Sequence, residues 1–236
     1  YHGDSLGRAS GAIRNIGSVG DMSNRNLLKK WLAGHWHTEL IPASPEPQTE
    51  LERNVEFITK LSGVKHSVDY PKLETKEAWY DSEHGMQAFY VLVPSASLNS
   101  KKWPIDYFAD LAERIYQKNS WSGVICGTQQ EYVLGEKIIA NCKVPLKNLP
   151  GQTNLIELVG LLNQSQLLIS NDTGSSHIAS AVGTPTVCIL GGGHFGRFAP
   201  YPDLPGQTNN FHSVYHKMPC YGCNWECVYS LKKNEP

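Results

Sequence analysis

From residue 88 onward, apolar runs alternate with segments that repeat at helical spacing. Phe89-Tyr90-Val91-Leu92-Val93 is an unbroken apolar run ended by Pro94, the pattern of a strand buried on both faces. Pro104 then sits where a first helical turn tolerates proline, and Phe108, Leu111, Ala112 and Ile115 supply one apolar face. Gly123 to Gly127 reads as a second strand and Glu131 to Ala140 as a second helix. Leu155, Leu158, Val159 and Leu162 mark a third helix, followed by the strand Leu167 to Ser170. Ser175 to Val182 is a short helix closed by Gly183, and Thr186 to Leu190 is a further strand that runs into Gly191-Gly192-Gly193. Strand and helix in alternation predict an α/β fold, a Rossmann-like parallel sheet with helices on both faces.

The first 73 residues carry a weaker pattern. Ala12 to Ile16 predicts a short strand, Asn26 to Leu32 a helical turn or two, and Pro42 to Pro47 a proline-rich loop. Leu51, Val55, Ile58 and Leu61 recur at helical spacing until Gly63 stops them. Pro71 to Gly85 is charged and polar and reads as a linker. The division expected is therefore residues 1–85 and residues 86–236.

Composition narrows the function classes. The chain has 236 residues with a formal net charge of −1, so it has no overall field to attract a polyanion, and a nucleic-acid partner is not expected. Hydrophobic residues make up 40% and charged residues 18%, enough apolar material for a core and too little charge for a disordered tail. No apolar run approaches the roughly 20 residues of a membrane-spanning helix. The chain opens on Tyr1 in polar sequence, without Met or a leader-like segment, and a fragment is expected. Cys126 and Cys188 lie in apolar runs, where a free thiol behaves as a small hydrophobe, and such usage fits a reducing compartment.

In an open parallel sheet, ligands bind where strand ends lead into helix N-termini. Three loops have suggestive composition: Pro94 to Pro104 with Ser95, Ser97, Lys101 and Lys102; Ser170 to His177 with Asp172, Thr173 and Gly174; and Gly191 to Arg197 with His194. Hydroxyls, a lysine and the N–H groups of a helix start are what a diphosphate needs. Each loop also has a plainer reading. Ser and Thr cap helices, Asp172 can cap the helix near Ser175, and a histidine in a first turn is more often a structural partner than a catalyst.

The run Leu168 to Val187, with Asp172-Thr173-Gly174-Ser175-Ser176-His177 followed by Gly183-Thr184-Pro185, resembles the signature of the family 9 glycosyltransferases, which include the heptosyltransferases of lipopolysaccharide. The Ser-rich loop ending in Lys101-Lys102-Trp103-Pro104 and the segment Gly151 to Leu162 are similar to theirs as well. The resemblance covers residues 88–205 well and 10–73 loosely. It implies a GT-B architecture of two Rossmann-like domains, with residues 1–85 the remnant of an incomplete N-terminal acceptor domain. It also implies donor contacts from Ser95, Ser97, Lys101, Glu131, Asp172, Thr173, Gly174 and His177. Transfer would invert the anomeric centre with no metal and no cofactor, from an ADP-linked sugar to a glycan or glycolipid acceptor. The enzyme would be cytoplasmic, with at most peripheral membrane association. Relatives place a general base in an early Gly-Asp loop. Gly3-Asp4 and Gly20-Asp21 follow no apolar strand, so the base is expected outside this chain. The alternatives are a nucleotide-binding module that transfers nothing and a nucleotide-sugar epimerase of similar fold.

Cys220, Cys223 and Cys227 form one last cluster. C-x-x-C spacing suggests zinc, with His216 or His212 as the nearest fourth ligand, but the second pair of a closed site is absent. Packed thiols or a local disulfide are expected instead.

Overall fold

The computed structural model describes residues 2–19, 31, 34–75 and 88–224. Its centre is a six-stranded sheet of β3 (Phe89–Val93), β4 (Ser122–Ile125), β5 (Leu146–Asn148), β6 (Leu167–Asn171), β7 (Thr186–Ile189) and β8 (Phe211–Val214), in the order β5-β4-β3-β6-β7-β8. All neighbouring pairs in it are parallel, with Val91 opposite Val124 on one side and Leu168 on the other. The helices α3 (Ile105–Asn119), α4 (Tyr132–Ala140), α5 (Leu155–Gln164) and α6 (Gly174–Ala181) connect the strands.

The alternation of side chains along β3 explains why both faces are covered. Phe89, Val91 and Val93 pack with Leu161 and Leu162 of α5 and Ala179 of α6. Tyr90 and Leu92 pack on the other face with Phe108, Ala112 and Ile115 of α3 and Ile138 of α4. Every residue of β3 is buried, which is what an apolar run without alternation requires. Gly135 lets α4 lie close to β5, because a Cβ there would run into the carboxamide of Asn148.

Upstream, α1 (His2–Ala9), β1 (Ile16–Ser18), β2 (Glu39–Ile41) and α2 (Glu50–Ser62) are described, with β1 and β2 paired in parallel. Asp4 of α1 bonds the His37 Nε2 at 3.0 Å, and Asn15 holds the other ring nitrogen at 3.2 Å. Helix α2 begins with a capping box between Thr49 and Glu52 and ends at Gly63, whose φ of 70° suits a residue without a Cβ. The chain from α2 to Leu73 is fastened to the large sheet. Arg197 Nε donates to Glu50 at 2.6 Å, Tyr70 Oη to the Pro202 carbonyl at 2.8 Å, and Leu73 N to the Ala181 carbonyl at 2.8 Å. Tyr70 and Leu51 thereby join Cys188, Leu190, Tyr201 and Phe211 in a third cluster over β7 and β8.

Several sequence expectations need adjustment. The strand expected at Ala12 to Ile16 begins only at Ile16, and Ile13 is fully exposed. Pro104 is the residue before α3 rather than within its first turn, and Glu131 ends a 3-10 turn that leads into α4. The edge strands β5 and β8 escaped the reading, since neither has an apolar run. The helical turn expected near Asn26, most of the expected linker and the Gly20-Asp21 pair lie outside the described residues.

A few buried polar atoms run against the general satisfaction of such groups, and Tyr90 carries one of them. The Tyr90 hydroxyl is buried with no hydrogen-bond partner among the described residues, and burial pushes the phenol well above its ordinary range. Removing an unsatisfied buried hydroxyl recovers its desolvation cost, of order 1 kcal/mol. Tyr90→Phe is therefore expected to leave stability unchanged or raise it by about that amount, measured by urea unfolding; a loss of 1 kcal/mol or more would show that the hydroxyl has a partner.

Candidate functional site

Because all strands of the large sheet run the same way, the loops after β3, β4, β6 and β7 emerge at one edge. The loop from Pro94 to Pro104 leaves β3 with Ser95 buried and passes through a 3-10 turn at Asn99–Lys101. Beyond β6, Asn171 ends the strand, Asp172 follows, and Thr173 is the N-cap position of α6. Lys101 Nζ meets Asp172 Oδ2 at 2.8 Å, with only 13% and 10% of the two side chains exposed. A charge pair this enclosed is worth having only when its geometry is held, and two loops cooperate to hold it.

The loop after β4 supplies the second half. Thr128 and Glu131 form a capping box in which the Thr128 amide donates to Glu131 Oε2 at 2.7 Å. The other carboxylate oxygen accepts from Ser95 Oγ. Gly127 makes room for that carboxylate, since a Cβ there would touch it. Between these loops lies a cleft of about 480 Å³ lined by Val93, Ser95, Gly127, Glu131, Leu158 and Thr173, among others. The Thr173 hydroxyl is buried here without a hydrogen-bond partner among the described residues. The cleft thus has an apolar wall, a fixed carboxylate, an unsatisfied hydroxyl and the first peptide groups of α6.

His177 faces elsewhere. Its Nδ1 lies 2.7 Å from the Tyr201 hydroxyl, and its ring clusters with Tyr201 at 5.6 Å and Phe211 at 5.4 Å, which also stack on each other at 4.6 Å. Burial holds the imidazole below its ordinary pKa; nearby Asp172 opposes that shift and Lys101 adds to it. Burial also pushes the Tyr201 phenol up to about 12, so it stays protonated and can donate to Nδ1. Gly174 is the exposed first residue of α6, and Ser97 is exposed and lies apart from the cleft lining. Of the residues singled out from sequence, the structure brings Ser95, Glu131 and Thr173 together on the cleft, with Lys101 and Asp172 paired beside it.

The third loop closes this edge from the β7 side. His194 lies within electrostatic reach of Lys101 and Asp172, and burial is the main cause of its lowered pKa. Arg197 turns away toward Glu50. The Gly192 and Gly193 carbonyls accept from the amides of Gly222 and Asn224, both at 2.8 Å, so the cysteine-bearing segment is tied to this loop. Cys220 and Cys223 are half-buried free thiols, not a disulfide, and Cys227 lies outside the described residues. Asp4, one of the two early Gly-Asp candidates, is held on α1 by His37.

Two residues of the site went unremarked in the sequence. Thr128 was detectable, as the first residue of a Thr-x-x-Glu capping pattern. Asn171 gave only a weak signal, a carboxamide at the end of an apolar run.

Comparison with known proteins fits this arrangement. The model of glycosyltransferase family 9 (heptosyltransferase) matches residues 29–227. The lipopolysaccharide core heptosyltransferase OpsX of Haemophilus influenzae is 33% identical over 129 residues, which cover 54% of this chain and 36% of that protein. A family 9 glycosyl transferase from Veillonella parvula superposes with a TM-score of 0.70 at 18% identity, covering 91% of this chain and 59% of that one. Escherichia coli ADP-heptose lipopolysaccharide heptosyltransferase II superposes with a TM-score of 0.62, also at 18% identity, covering 90% of this chain and 74% of that one. The chain therefore spans about a third of the curated relative OpsX, while its fold follows the family over nearly its whole length. A match that runs from before β2 to beyond β8, and takes in every loop of the cleft, places the chain in glycosyltransferase family 9.

Proposed function

We propose that this chain forms the donor side of a heptosyltransferase-like enzyme. It binds a sugar linked to a nucleoside diphosphate, ADP by preference, for transfer to a glycan or glycolipid acceptor of the cell envelope. The observation that carries the reading is the enclosed Lys101–Asp172 pair, whose Asp172 directly precedes the Thr173 that lines the cleft with an unsatisfied hydroxyl. The names of the matched relatives, a lipopolysaccharide core heptosyltransferase and an ADP-heptose heptosyltransferase, support the sugar and the nucleotide.

In this reading the nucleoside lies along Val93 and Leu158, with Glu131 accepting from its hydroxyls and Ser95 keeping that carboxylate in place. The diphosphate takes the Thr173 hydroxyl, the first N–H groups of α6 and the Lys101 ammonium, with Ser97 and Gly174 at the rim. Asp172 fixes Lys101 before the ligand arrives. As the glycosidic bond breaks, negative charge grows on the leaving diphosphate, and fixed positive groups stabilise it most at that moment. The lysine and the helix dipole thus take the part a divalent ion plays in other transferases. Displacement from the opposite face inverts the anomeric centre, and the general base belongs to the acceptor side, outside the described residues. His177 supports the site as a neutral ring. No described helix is long and apolar enough to cross a membrane, and we place the enzyme in the cytoplasm, with peripheral membrane contact at most.

ADP is expected to raise the melting temperature of the protein, equally well with EDTA present. Lys101→Ala should weaken ADP binding about tenfold or more, since a charge-assisted contact is worth roughly 1.5–3 kcal/mol. Calorimetric titration measures both; no stabilisation by ADP or by other nucleoside diphosphates would reject the reading, and a requirement for a divalent ion would reject its metal-free form.

The buried neutral state of His177 sets a pH dependence. Its folded-state pKa is lowered, so near pH 6 the unfolded chain binds more protons there than the native protein. Stability from this group is present above the unfolded value of about 6.5 and is lost as pH falls below it. Melting temperatures taken from pH 7.5 to pH 5.5 should fall, and His177→Gln should fall less over the same range. Equal slopes for the two proteins would remove His177 from the account.

A further inference from the structure

Asn171 is fully buried at the end of β6, and both of its polar atoms are used on one loop. Nδ2 donates to the Pro94 carbonyl at 2.7 Å, and Oδ1 accepts from the Trp103 amide at 3.0 Å. Pro94 is where that loop leaves β3, and Trp103 is where it reaches α3. One carboxamide thus joins the two ends of the segment that carries Ser95, Ser97 and Lys101. Between those ends the backbone forms only a short 3-10 turn and Ser97 to Ser100 are exposed, while inside the loop Ser95 bonds Glu131 and Lys101 bonds Asp172. A carboxamide places an N–H donor and a carbonyl acceptor on two separate atoms, so one asparagine can serve both partners at once. The next residue, Asp172, takes the Lys101 ammonium.

We infer that Asn171 is a positioning residue for the donor site: by joining Pro94 to Trp103 it fixes the loop path that delivers Lys101 to Asp172 and to the cleft edge. A flexible loop would present the lysine over many positions and would have to be ordered by the ligand at the ligand's expense. Joining the ends beforehand removes much of that cost. The functional half of this inference rests on the donor reading above; the positional half stands on the geometry alone.

The test separates the two. In the full chain, ADP affinity is measured for wild type, Asn171→Ala, Lys101→Ala and the double variant. Asn171→Ala should lose about tenfold in the wild-type background and less than about twofold when Lys101 is already absent, because residues that act through one another are not additive. Equal losses in both backgrounds would overturn the inference, since a merely structural asparagine acts whether or not Lys101 is there. Pulsed acylation read by mass spectrometry reports the position of Lys101 without any ligand. The Lys101 amine should react at least about fivefold faster in Asn171→Ala, with Lys118 on α3 unchanged as internal reference. An unchanged Lys101 rate in the folded variant would overturn the inference even if ADP binds. Absence of ADP binding in wild type would reject the donor reading and leave the acylation result to decide the positioning. Should Asn171→Ala fail to fold, amide exchange of the wild-type protein decides. A Trp103 amide protected like those inside α3 supports the bond to Asn171, and one that exchanges at the rate of an open loop overturns it.

Discussion

Parallel pairing of β3 with β6 is the constraint on which the site depends. The two strands lie side by side in register, Val93 opposite Ser170, and both are covered on each face by helices. Parallel strands need crossover connections, and those crossovers put every strand-to-helix loop at the same edge. Ser95 after β3 and Asp172 after β6 are therefore neighbours because of how the strands pair, although they are far apart in sequence. The helix dipole at the start of α6 points to that edge for the same reason. Packing of Phe89, Val91 and Val93 on one face and Tyr90 and Leu92 on the other fixes the level of the strand ends. The polar loops then inherit a rigid base that they could not supply themselves.

What the site does with that base is to satisfy most of its polar groups internally and leave a few unsatisfied. Glu131 is occupied by Ser95 and the Thr128 amide, Lys101 by Asp172, and Asn171 by two backbone groups. The Thr173 hydroxyl is the exception, buried on the cleft without such a partner among the described residues. A cluster arranged this way is held stiff by its own bonds, and a ligand placed there would face little further ordering cost. His177 shows the opposite allocation. Its ring is taken up by Tyr201 and Phe211, so its presence in the sequence motif serves the packing behind the loop as much as any ligand.

The sequence revealed the centre of the sheet far better than its edges. Phe89 to Val93 and Leu167 to Ile169 are apolar because both faces are covered, and that leaves an unmistakable run. Strand β5, Leu146-Lys147-Asn148, is half-buried throughout, and β8, Phe211-His212-Ser213-Val214, buries mainly Phe211, so neither carries a period long enough to read. The same physics governs the candidate site. Ser95, Lys101 and Asp172 stood out as candidates because several strand-end loops with hydroxyls and charges converge at one sheet edge, although each loop alone is common composition for helix capping. Ser97 has the same composition, yet it faces solvent, and one-dimensional sequence does not tell which of two serines turns inward. Asn171 was hard to see for a related reason: its value lies in two backbone atoms of a loop distant in sequence, and backbone partners leave no mark on composition.

The bond between Arg197 and Glu50 has a consequence for how the molecule comes apart. It is one of several ties, with Tyr70 to Pro202 and Leu73 to Ala181, that lay the segment after α2 across the outer strands. Tyr70 stacks on Tyr201, and Tyr201 stacks on His177, so a continuous column of rings runs from that segment to the first turn of α6. Elements joined through a shared buried core open together rather than one by one. Residues 50–73 and the β7–β8 side of the sheet are accordingly expected to open as one cooperative unit, with that segment a wall of the interior beneath β7 and β8.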